Sequence, residues 1–212
     1  MSTYEQFLSD VKDHEITVFQ NDGPYRTVRF AIRDKSQYHF YLTTWPGHLV
    51  ISGDMGTYAF RRLTDMFQFF RGKPGKINPG YWHEKLISQD VRTPAESFSR
   101  EQFKAAVVKE WRKYWRNSFR DRWANLDTFF DDRRDDWREI RRSILENEDL
   151  ESADLAFRET QEFDSLANLY LHGYDLNEYT YHFIWCLHAI VWGIGQYDAH
   201  MAAKEEEKRS AS

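Results

Sequence analysis

Apolar and polar positions along the chain change their period twice. Near the N-terminus Tyr4, Phe7, Leu8 and Val11 recur at helical spacing behind a Ser2/Glu5 capping-box pair, which predicts a short helix. Over residues 15–60 the period drops to two. Ile16-Thr17-Val18-Phe19 is β-branched and aromatic, and Val28, Phe30 and Ile32 alternate with polar neighbours. Residues 38–44 read as a third strand, 49–52 as a fourth and 57–60 as a fifth. Turn clusters separate them: Asn21-Asp22-Gly23-Pro24, Asp34-Lys35-Ser36, Trp45-Pro46-Gly47-His48 and Gly53-Asp54-Met55-Gly56. Connections this short make the strands antiparallel, so the pattern predicts a meander of four or five strands with Phe30, Phe40 and Leu42 buried.

Helical spacing then returns. Leu63, Met66, Phe67 and Phe70 share one face, with Gly72 placed to end the helix. Residues 72–97, with Pro74, Gly75, Pro79, Gly80 and Pro94, read as irregular. Ser99 and Gln102 form a capping-box pair flanked by a Phe98/Phe103 staple. Phe103, Val107, Trp111, Trp115 and Phe119 continue that helix at i+4 spacing, and further helices are expected over 121–146 and 151–170. Asp175 and Glu178, with Tyr174 and Tyr179 around them, repeat the start signal. The helix after them is apolar nearly all round from Phe183 to Gly195, which predicts burial on several sides, with Trp185, Leu187, Ile190, Val191 and Ile194 in the core. Thirteen residues are too few for a membrane span of about 20.

The pattern therefore predicts an α+β protein: a small antiparallel β-meander near the N-terminus packed against a helical C-terminal half. The expected division is a sheet region with its N-terminal helix over 1–98, a helical region over 99–203 packed on it as one globular unit, and a polar, fraying tail over 204–212. Eight Trp, twelve Tyr and sixteen Phe among 212 residues supply the core, since each ring can remove about 150–250 Å² from water. The single cysteine, Cys186, can form neither an internal disulfide nor a multi-thiolate zinc site, so a reducing compartment is expected. Met1-Ser2-Thr3-Tyr4-Glu5 has no basic region or apolar run, so no signal peptide is expected.

Three segments carry a family resemblance. The first is Thr43-Thr44-Trp45-Pro46-Gly47-His48-Leu49 with Gly53-Asp54-Met55-Gly56-Thr57-Tyr58. The second joins Asp65-Met66-Phe67-Gln68-Phe69-Phe70-Arg71 with Ile77-Asn78-Pro79-Gly80-Tyr81-Trp82. The third joins Glu178-Tyr179-Thr180-Tyr181-His182-Phe183-Ile184-Trp185-Cys186 with Trp192-Gly193-Ile194-Gly195-Gln196-Tyr197-Asp198. Together they resemble an uncharacterised protein family of tailed bacteriophages and prophages. The resemblance covers residues 1–90 and 175–200 and is weak between them. It implies a phage gene product working in the cytoplasm of a bacterial host, and brings no activity with it.

Chemistry is thinly signalled. His48 and Asp54 flank one strand and could lie near each other, which would allow a general-base pair for a hydrolase. The competing reading is hairpin chemistry, with Asp54 bonding its own turn, and no Ser, Cys or Lys nucleophile accompanies the pair. His182 and His188, six apart, lie on different faces of a helix, and His83-Glu84 is no better as a metal pair. No glycine-rich phosphate loop occurs, so neither metal nor cofactor is expected. Cys186 reads as a small buried hydrophobe.

Charge is patterned more informatively. The net charge is −5, unlike the basic balance of a nucleic-acid coating protein. Residues 100–122 nevertheless carry eight basic against three acidic side chains, and 127–164 carry fourteen acidic against six basic. The acidic stretch suggests a partner-binding face of Asp131, Asp132, Asp135 and Asp136 that mimics a row of phosphates. The basic stretch suggests nucleic-acid contact through Lys109, Arg112, Lys113, Arg116 and Arg120 with aromatic neighbours for stacking. The competing reading is that the two stretches neutralise each other. The leading functional expectation is a non-enzymatic protein-binding factor that inhibits a host nucleic-acid-directed defence system, its partner a CRISPR or restriction component. The alternatives are a nucleic-acid-binding accessory protein and the hydrolase around His48 and Asp54.

Overall fold

The computed structural model describes residues 4–122, 125–147, 152–167, 169 and 173–210. The chain is α+β and divides into two compact units, one made of residues 1–96 and 179–212, the other of 97–178. The first cut lies within two residues of the one expected at 98. The terminal helix, however, belongs with the sheet and not with the helical region.

The first unit holds six antiparallel strands in sequence order: β1 (Glu15–Asp22), β2 (Tyr25–Ala31), β3 (Phe40–Trp45), β4 (His48–Gly53), β5 (Gly56–Arg61) and β6 (Leu86–Gln89). Their register carries the period-two pattern across the sheet. Val28, Leu42, Ile51 and Tyr58 pair in one row and are fully buried, while the adjacent row, Arg29, Tyr41, Ser52 and Thr57, lies on the opposite face. Phe30, Phe40 and Leu42 are in the core as expected. Pro46-Gly47 closes the β3–β4 hairpin, with Gly47 at φ +82°, a conformation that costs glycine no Cβ clash.

Against the inward face lies α7 (Tyr181–Ser210). Trp185, Leu187, Ile190 and Ile194 on it are at most 1% exposed, and Val191 is buried as well. Its other sides meet α1 (Tyr4–Val11), through Phe7 at 5.2 Å from Trp185, and α2 (Met66–Phe70), through Phe67 at 5.2 Å from Tyr197. That is why the helix is apolar nearly all round. Among the described residues no helix is long and apolar enough to cross a membrane.

Several boundaries differ from the sequence expectation. The third strand begins at Phe40, because Tyr38 takes φ +56° and gives its amide to Asp54 Oδ2 at 2.8 Å. The helix expected from Leu63 begins at Met66, because Asp65 caps it by accepting the Phe67 amide at 3.0 Å, and Leu63 is left 44% exposed. Arg26 locks that cap with a two-pronged ion pair of 2.9 and 3.1 Å. The stretch 72–97 is not irregular throughout: it contains α3 (Pro79–His83), β6 and the short β7 (Glu96–Phe98). β6 is an edge strand with no fully buried residue, so it has no alternation to read. The cap of α7 is Thr180, whose hydroxyl accepts the Phe183 amide at 3.3 Å; Asp175 instead accepts the Asn177 amide at 3.1 Å within its own turn. The expected polar tail is helical through Ser210 and exposed.

The second unit is built on α4 (Arg100–Arg122) and α5 (Leu126–Ile140), the latter continued by a π-helical turn at Arg141–Leu145. Among the described residues α6 (Ala153–Thr160) and a 3₁₀ turn (Asp164–Leu166) follow. Phe103, Val107, Trp111 and Trp115 on α4 pack with Phe129, Ile140, Ile144, Phe163 and Leu166 in a core of their own. The apolar stripe runs past this core, so Phe119 is 44% exposed. Only half of the expected capping box forms at Ser99. Its Oγ accepts the Gln102 amide at 3.4 Å, while the Gln102 side chain donates to Asn177 O at 3.0 Å. A second two-stranded sheet pairs β7 with β8 (Asn177–Tyr179).

Candidate functional site

The α4/α5 pair brings the chemistry of the second unit together. Trp111 and Trp115, one turn apart on α4, both donate their indole N–H to Asp136 Oδ2, at 3.0 and 2.8 Å. Trp137 lies 4.5 Å from the Trp111 ring, and the Arg133 guanidinium lies 5.0 Å from its centroid. These contacts fix the rotation of α5 about its axis and so decide what each flank presents.

One flank is acidic. Asp132, Asp135, Asp136 and Glu139 stand at i, i+3, i+4 and i+7, a single helical stripe. Glu162 and Asp164 from the following segment face them across a hollow of about 450 Å³. Among the described residues six carboxylates line this hollow and no basic residue does. Ser165, 5% exposed, lines it too, and its Oγ has no hydrogen-bond partner among the described residues. Three of the four expected acidic residues therefore gather here. Asp131 stands outside the hollow and pairs with Arg134 at 3.1 Å. Asp135 pairs with Arg138 at 2.7 Å, but both are about 70% exposed, so solvent screens the pair to about 0.2–1 kcal/mol. Asp136 serves the core through the two indoles, which its position in the acidic run did not announce. Glu139 was legible from spacing; Glu162, Asp164 and Ser165 were not.

The expected basic set is dispersed. Lys109 lies over the Tyr174 ring at 5.0 Å, and Lys113 pairs with the buried Glu110 at 3.7 Å. Glu110 also accepts from the Tyr174 hydroxyl, whose pKa is pushed up to about 12 by burial and then by that carboxylate. Arg120 is exposed on the last turns of α4. Only Arg112 and Arg116 share a cleft, and they share it with Arg133 of α5. The ion pairs that the described residues show here are local ones, Lys113 with Glu110 in α4 and Arg134 with Asp131 and Arg138 with Asp135 in α5.

His48 and Asp54 are not brought together. His48 opens β4 and Asp54 follows its last residue, Gly53, so a strand length of about 17 Å lies between His48 and the Gly53 that precedes Asp54. His48 stacks on Trp45 at 4.9 Å with Nδ1 3.0 Å from Pro46 O, and Asp54 bonds the Tyr38 amide. His188 is a core residue 5.2 Å from the Tyr4 ring, and burial holds its pKa below the ordinary value. Burial likewise pushes the Cys186 thiol up; its Sγ lies 3.6 Å from Met55 O. Among the described residues no group of three or more His, Cys, Asp or Glu could hold a metal ion.

No protein-family model matches the chain, and no curated protein or solved structure matches it.

Proposed function

We propose that the protein acts by binding, with the carboxylate hollow of its second unit as the docking face for a basic partner. The observation that carries this is the gathering of six carboxylates from two segments around one hollow with no basic residue among the described residues of its lining. Like charges held this close repel one another, and an incoming Lys or Arg relieves that repulsion while the long-range field speeds its approach. The sequence resemblance to tailed-phage proteins supplies the context: the partner is a host protein with a phosphate-binding surface, of the kind CRISPR effectors and restriction enzymes present.

The experiment is phage plating on hosts carrying a panel of CRISPR and restriction systems, with the protein supplied in trans. The variant replaces Asp132 and Asp135 by Asn and Glu139 and Glu162 by Gln, leaving Asp136 on its tryptophans. Protection by the wild type and loss of protection by the folded variant is the expected outcome. If the wild type protects phage on no such host, the defence reading falls. If variant and wild type protect equally, the hollow is not the docking face.

A further inference from the structure

The other flank of α5 carries a site of opposite chemistry. Arg112 and Arg116 project one turn apart from α4, Arg133 joins them from α5, and Phe119 and Phe130 complete the rim, 44% and 46% exposed. The buried rings of Trp115 and Phe129 form the floor, with Phe129 5.4 Å from both rim phenylalanines. The cleft measures about 320 Å³, and among the described residues no carboxylate lines it. Among the described residues no ion pair engages Arg112, Arg116 or Arg133.

We propose that this cleft binds a nucleoside phosphate, with the phosphate on the arginine fork and the base against the phenylalanine rim. Guanidinium groups match phosphate oxygens in geometry as well as charge. Exposed aromatic faces are where bases stack, independently of sequence. A ligand with only one of the two parts leaves either three cations or two apolar rings unanswered. The volume lies at the small end of ligand sites, which suits one nucleotide. The four carboxylates on the opposite flank of the same helix, with Glu162 and Asp164 beside them and a net charge of −5, repel an extended polyanion. The occupant is therefore a single nucleotide or the end of a single strand, and not a duplex laid along α4. This proposal does not rest on the acidic hollow.

The test is titration of the full chain at about 50 mM salt, followed by tryptophan fluorescence and equilibrium dialysis. The probes are thymidine 5′-monophosphate, thymidine, inorganic phosphate and a thymidine oligonucleotide. The nucleotide or the oligonucleotide should bind at least about tenfold tighter than thymidine or phosphate alone. A preference for the nucleotide identifies a free ligand, and a preference for the oligonucleotide identifies a strand end. Arg116→Gln should weaken binding about tenfold or more and Phe130→Ala about fivefold or more. Both side chains are exposed, so far-UV circular dichroism should be unchanged; Arg116→Lys keeps the charge but loses the fork, and should fall between wild type and Gln. The proposal is overturned if phosphate alone competes as well as the nucleotide, if nothing binds, or if these variants bind like the wild type.

Discussion

Asp136 is the residue on which the acidic run and the second core meet, so replacing it separates structure from surface charge. Its Oδ2 accepts two indole N–H groups whose tryptophans are 8% and 5% exposed. Asp136→Ala removes the acceptor of both. A buried donor left unsatisfied costs about 1–3 kcal/mol, and partial access of water to a half-buried position brings the expected loss to about 2–4 kcal/mol. Asp136→Asn keeps a carbonyl oxygen in place and loses only the charge-assisted part of the bonds, about 1 kcal/mol. Urea melts measure both, and the slope with denaturant should not change if only stability has moved. Hydrogen exchange of the indole protons, followed by NMR, localises the effect: Trp111 and Trp115 should exchange faster in the Ala variant while the indole of Trp185 in the other unit does not. Equal melts for Ala, Asn and wild type, with unchanged indole exchange, would show that Asp136 is a solvated carboxylate and that the two bonds do not hold α5 in place.

Two further outcomes follow from the sheet unit. A Cβ added at Gly193 meets Leu42 Cδ1 at 3.0 Å and Phe30 Cε2 at 3.1 Å, whereas one added at Gly195 meets nothing within 4 Å. Gly193→Ala should therefore cost about 1–3 kcal/mol and Gly195→Ala should gain about 0.5–1 kcal/mol; thermal melts showing the same sign for both would refute the account. His188 is held below its ordinary pKa of 6.5 by burial, against a smaller upward pull from Glu5, and faces the Tyr4 and Phe7 rings. Below about pH 6.5 the unfolded chain takes up a proton that the folded chain resists, so its contribution to stability is constant above that pH and lost as pH falls. The urea midpoint should drop between pH 7.5 and pH 5.5, and His188→Gln should reduce that drop, leaving the part due to His14, which burial shifts the same way; an undiminished drop in the variant would assign the loss elsewhere.

What the amino-acid order determined alone is the part of the fold that repeats locally. Strands β1–β5, the α1 helix, the start of α4 at Ser99 and the buried character of α7 were legible, because each is written as a period of 2 or 3.6 over consecutive residues. Strand β6 was not, since a partly exposed edge strand has no period to show. Nor were the starts of α2 and α7, where several polar residues competed as caps and tertiary contacts chose: Arg26 secures Asp65, and Thr180, whose hydroxyl reaches Pro94 O at 2.7 Å, displaces Asp175. The candidate sites divide the same way. The stripe from Asp132 to Glu139 lies on one turn-spaced face and could be read from its spacing. The six-carboxylate hollow, and the meeting of Arg112 and Arg116 with Arg133, Phe119 and Phe130, needed residues from separate segments. Only the packing of α4 on α5, set by two indoles on one carboxylate, decided which charges became neighbours, because charge alone is long-ranged and names no partner while packing is short-ranged and does.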